Sequence, residues 1–155
     1  MKDLYENYAV IIIFLHIISA VIWVGGMIAI RFAVHPSLQS IEEVNIKLGK
    51  TILVMGKFFN IVLPFIFISL ATALVLLIGG GFNGWVVHAK ESIWTIMSLN
   101  FAYMYFKRYK AMKLFSNGDL ESAKQSIAMI PSLLLPINIA LGLLAIFFGI
   151  TFRAF

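Results

Sequence analysis

VIIIFLHIISAVIWVGGMIAIRFAVHP, residues 10–36, is long and apolar enough to cross a bilayer, yet it holds a histidine inside and an arginine toward its far end. At about 100° per residue, His16, Ser19, Ala20, Trp23, Gly26, Met27, Ile30 and Arg31 share one broad face. Ile13, Phe14, Ile17, Val21 and Ile28 lie largely elsewhere, so one face is small and polar and the remainder suits lipid. An ionisable group within a span costs about 2.5–3.5 kcal/mol on insertion scales, so His16 is expected to face a bundle interior and to have a partner there. That partner is a bound metal centre on one reading and a hydroxyl or carbonyl on the other; the residues alone leave both open.

The rest of the chain agrees with a membrane setting. Of 155 residues 61% are hydrophobic and only 12% charged, against about 25% charged in an ordinary soluble domain. The expected fold is an all-α membrane protein, a four-transmembrane-helix bundle forming one domain over residues 1–155. Its spans fall at about 8–33, 51–78, 86–106 and 130–150. The pair His35-Pro36 is expected to end the first span, because the residue before a proline is pushed out of the helical region. Pro64 and Pro136 lie inside the second and fourth spans and predict kinks there. GGGFNG at 79–84 reads as a turn and, lacking a following Lys-Ser/Thr, not as a phosphate loop. The leading MKDLYENY is not basic and no small-residue cleavage site follows before Arg31, so the first run reads as a permanent helix.

Nine of the twelve basic residues fall beside the 36–50 and 107–130 connectors, leaving Lys2, Lys90 and Arg153 opposite. By the positive-inside rule both termini face outside. The same distribution accounts for the net charge of +5 by topology, with no nucleic acid partner required. The absence of cysteine excludes disulfides, thiolate metal sites, iron–sulfur clusters and c-type haem attachment.

Few residues are suited to chemistry. In the third span His88, Ser92, Thr95, Leu99 and Ala102 form one stripe, whereas Lys90 falls with Trp94, Met97, Phe101 and Met104 on nearly the opposite side. His16 and His88, on different helices, form a candidate metal pair that could hold haem b in a bundle core. Trp23 lies deeper than an interfacial belt position and is expected to pack beside His16 or a cofactor. The seven methionines invite copper, but they lack a clustered, water-facing arrangement and read better as packing groups. No nucleophile with a paired base and no carboxylate pair is present, which argues against hydrolysis.

The segment LHIISAVIWVGGMIAIRFAVH resembles the first helix of the HemJ proteins, the oxygen-independent membrane protoporphyrinogen IX oxidases, within a wider group that includes CopD copper-resistance membrane domains. His16, Trp23, Gly26 and Arg31 meet that pattern of a histidine followed by Trp, Gly and Arg, and HAK at 88–90 matches the second signature. The resemblance implies a haem b-binding oxidoreductase of the bacterial inner (cytoplasmic) membrane. It would take protoporphyrinogen IX as substrate, a quinone or another membrane electron acceptor as partner, and the lipid bilayer as surroundings, and a homo-oligomer is compatible with it. It assigns His16 as haem ligand with His88 as second ligand, Trp23 to the cofactor site, and Arg31 and Lys90 to catalysis through propionates or protons. The family's Asn-Glu-hydrophobic-Pro motif is here AMIPS at 128–132, in which Pro131 remains but the Asn-Glu pair is missing. That departure motivates one alternative, a quinone-linked b-type cytochrome without porphyrin substrate; the other is a CopD-like copper-handling protein with histidines and methionines as ligands.

Overall fold

The computed structural model describes residues 2–81 and 84–151; Arg153 and the Phe82-Asn83 pair of the glycine turn lie outside the described residues. The described chain is all-helical, with no strand. Four long helices follow one another: α1 Lys2–Gln39, α2 Val44–Gly79, α3 Trp85–Ser116 and α4 Leu120–Ile150. The first, second and fourth are long and apolar enough to cross a membrane. Connections this short force sequence neighbours to run antiparallel. The helices therefore form two hairpins, α1–α2 and α3–α4, that close on each other mainly through α2 and α3.

Helix α1 does not stop at Pro36. It runs on to Gln39, and the reason is a π-turn over Ile30–Val34, after which the His35 amide donates to the Ile30 carbonyl one residue further back than in an α-helix. The wider turn absorbs the missing N–H of the following proline. The same device recurs in α4, where a π-turn over Ile130–Leu134 places the Leu135 amide on the Ile130 carbonyl just before Pro136. A third π-turn, Val21–Gly25, interrupts α1 around Trp23. Helix α2 passes through Pro64 without a break in its assignment.

Helix α3 also outlasts its expected span. Lys107, Arg108, Lys110 and Lys113 continue it to Ser116, since basic residues end a membrane span without ending a helix. Its true stop is Gly118, whose φ of 82° favours glycine. There the Gly118 amide donates to the Phe115 carbonyl and the Asp119 amide to the Leu114 carbonyl, a paired closure that satisfies the last carbonyls. Asp119 then accepts from the Ser122 amide at 3.1 Å and caps the start of α4.

The core is a thin seam between the helices. Trp23 and Phe59 both meet Phe101 edge-on, with ring centroids 6.2 and 5.2 Å apart, and Met27, Val62, Met104, Ile130 and Leu135 complete the centre. Outside it Phe14, Phe32, Phe67, Leu99, Phe106 and Phe147 stand mostly exposed. So much outward apolar surface is unfavourable in water and is what a lipid-facing shell requires.

Candidate functional site

His16 turns from α1 toward α2. Its Nδ1 lies 3.0 Å from Thr72 Oγ1 and 3.2 Å from the Ser69 carbonyl oxygen. Thr72 and Ser69 are both buried, and the Thr72 hydroxyl sends its single proton back to a carbonyl of its own helix, Ile68 at 2.7 Å or Ser69 at 3.0 Å. The Ser69 carbonyl facing Nδ1 can only accept, and the Thr72 hydroxyl accepts as well when its proton goes to its own helix. This favours the proton of a neutral His16 on Nδ1 and the basic lone pair on Nε2. This second-neighbour arrangement fixes the tautomer of metal-bound histidines, and it makes His16 Nε2 suited to a metal or a proton.

Contacts in the middle of the bundle set the levels of the other candidates. A Cβ added at Gly142 would press on Val24 and Met97, so α1, α3 and α4 meet there at one height. Counting outward, His16 stands eight residues from Val24, Lys90 seven from Met97 and Gly149 seven from Gly142. The Lys90 ammonium indeed reaches to 3.9 Å from a Cβ built at Gly149. His16 and Lys90 thus share a level. Arg31 lies about 22 Å further along α1 at 1.5 Å per residue, half-buried with its guanidinium 5.6 Å from the Phe32 ring centroid.

The remaining assigned residues are placed apart from this level or turned away from it. His88 is 78% exposed at its side chain and has Nδ1 3.2 Å from Glu91 Oε2, one helical turn on. Trp23 lies about 10 Å along α1 from His16 and is buried against Phe101. Its Nε1 has no hydrogen-bond partner among the described residues. No group of three or more His, Cys, Asp or Glu side chains able to hold a metal ion gathers among the described residues.

Two polar features escaped the sequence reading. Arg108, which reads there only as a topological signal, lays its guanidinium against α2 at Gly56, in space that any Cβ would fill. Its Nε donates to the Ile52 carbonyl at 2.9 Å. The coincidence of a glycine on one helix and an arginine on the next is invisible without the register between them. Between α3 and α4, Asn100 Nδ2 donates to Asn138 Oδ1 at 2.7 Å and to the Leu134 carbonyl at 2.9 Å, while Asn138 Nδ2 donates to the Met97 carbonyl at 3.1 Å. Asn138 is fully buried, and its amide is engaged on both sides, the oxygen accepting from Asn100 and the nitrogen donating to the Met97 carbonyl. Asparagines near the middle of two apolar runs were the available signal.

No family model, curated protein or solved structure matches the chain.

Proposed function

We propose that this chain is a haem b-binding membrane oxidoreductase of the HemJ kind, a protoporphyrinogen IX oxidase whose four helices all span the bilayer. The observation that carries the reading is the hydrogen bonding of His16, which leaves Nε2 as the basic nitrogen on an intramembrane imidazole. The donor set fits a haem held through one histidine of this chain. His16 would bind the iron, and Thr72 with Ser69 would orient the ring and strengthen it as a ligand. Lys90, at the same level, would offer a cation to a propionate. Bound haem would supply an electron relay between the porphyrinogen and a quinone. Each pair of hydrogens taken from the porphyrinogen reduces one quinone to its quinol. The shell of exposed phenylalanine and leucine side chains keeps the site among lipid, where both the porphyrinogen macrocycle and the quinone dissolve.

The separation of Arg31 from Lys90 favours a second reading, a quinone-linked b-type cytochrome without porphyrin substrate, because the two cations cannot grip the propionates of one macrocycle. Expression in a strain lacking protoporphyrinogen oxidase separates the two. Rescue by the wild-type chain and failure of His16→Ala at equal membrane abundance supports the oxidase. Haem-loaded protein that does not rescue supports the carrier.

A further inference from the structure

At the end of the bundle that carries the basic connectors, a cavity of about 430 Å³ opens between the last turns of α1 and the first turns of α2 and α4. Leu48, Met55 and Ile127, all buried, give it a carbon floor. His35, Lys47 and Lys124 line it as well, one from each helix, and its wall is part polar. Among the described residues no Asp or Glu lines it; Glu42, Glu43 and Glu121 stand exposed outside it. Lys47 is half-buried, and neither it nor Lys124 makes a side-chain hydrogen bond or an ion pair among the described residues. Arg108, at the same end, is by contrast spent on the Ile52 carbonyl.

Two ammonium groups brought to one cavity repel each other, and a half-buried one has lost part of its water, so the cavity favours an anion. Its depth narrows what that anion is. His35 stands nineteen residues beyond His16, about 28 Å along α1 at 1.5 Å per residue, close to the roughly 30 Å thickness of the hydrocarbon core. With His16 inside the span, the cavity lies at headgroup level on the opposite membrane surface. A free phosphate ion would give up water there to face carbon, whereas a phospholipid brings a phosphate for the lysines and glycerol and acyl carbon for the floor. A zwitterionic headgroup sets its own ammonium against the lysines, and an anionic one does not. We propose that this cavity binds the headgroup of an anionic phospholipid, its phosphate paired with Lys47 and Lys124 and the start of its acyl chains laid on Leu48, Met55 and Ile127. Because the walls come from three helices, the bound lipid ties α1, α2 and α4 together. The site stands far from His16 and requires no haem.

The test is titration of the detergent-purified full chain with short-chain phosphatidylglycerol, read as the thermal unfolding midpoint, since a ligand that binds only the folded state raises it. The expected result is a saturable rise that neither phosphatidylcholine of the same chain length nor inorganic phosphate at the same concentration produces. At about fivefold in affinity per lysine, Lys47→Gln combined with Lys124→Gln weakens the apparent affinity about twenty-fivefold. Lys50→Gln combined with Lys110→Gln removes the same charge from exposed positions outside the cavity and leaves the affinity within about twofold of wild type. No rise with phosphatidylglycerol, or an equal rise with phosphatidylcholine, overturns the anionic lipid. An equal rise with inorganic phosphate makes the occupant a free ion and overturns it too. Equal weakening by the two double variants overturns the cavity, because the attraction is then that of the whole basic surface. Should the Lys47 and Lys124 double variant not fold, Lys124→Gln alone, at an exposed side chain, decides by its fivefold loss or the lack of one.

Discussion

The two ends of the bundle hold their polar groups in opposite ways. At the end carrying the basic connectors, Arg108 fills the place of a missing side chain at Gly56 and is tied to the Ile52 carbonyl. That polar group is used up in holding helices together. At the other end His16 Nδ1 faces the Ser69 carbonyl, which can only accept, and the Thr72 hydroxyl, so the network orients the ring and favours Nε2 as its basic nitrogen. Structural polar groups in this protein are recognised by what they close, and the functional candidate by the chemistry its partners leave it.

The largest effect is expected at the closed end. Gly56→Ala drives a methyl into the Arg108 guanidinium, and overpacking of this kind costs about 1–3 kcal/mol. The measurement is the midpoint of denaturant unfolding in micelles. A midpoint unchanged from wild type would mean that Arg108 is not seated on Gly56. Combining Gly56→Ala with Arg108→Ala should recover part of the loss, because the clash then has no second partner.

Asn138→Ala comes next, with a loss of about 1–2 kcal/mol in the same assay, toward the upper end for interhelical hydrogen bonds in membranes because Asn100 is left short of a partner as well. A double-mutant cycle with Asn100→Ala should show that the two losses are not additive. Additive losses would mean that the asparagines act separately.

Thr72→Val should hardly move stability, by about 0.6 kcal/mol, yet it removes one of the two acceptors that fix the His16 tautomer. The comparison predicts a change at the His16 end alone: a shifted haem potential or weakened haem retention with unchanged unfolding. Loss of stability without any change in the haem would make Thr72 another closing group. The smallest effect belongs to His88→Ala. Its pairing with Glu91 is so exposed that unfolding and haem content should both match wild type within error. Loss of haem there would make His88 a ligand.

Much of this was legible in the chain. The apolar runs marked α1, α2 and α4, and a histidine inside a span announced the need for a partner, because hydrocarbon offers none. What hydropathy marks is the membrane, not the helix. It therefore missed the continuation of α3 through Lys107–Lys113 and of α1 through Pro36, where a π-turn replaces the missing amide proton. The identity of the His16 partners was not legible either. Ser69 and Thr72 lie more than fifty residues away and meet it only through the register of α1 on α2. The packing of Arg108 was hidden for the same reason, since it depends on a glycine in another helix.

We propose that His16 is a haem ligand whose Nε2 is kept basic by Thr72 and Ser69. Its most direct test is a dithionite-reduced minus oxidised absorption spectrum of the purified chain from haem-replete cells, with His16→Ala prepared beside it. A b-type spectrum in the wild type that disappears in His16→Ala, while the variant keeps its helical content, is the predicted result. A colourless wild type, or a b-type spectrum that survives in His16→Ala, would contradict the claim.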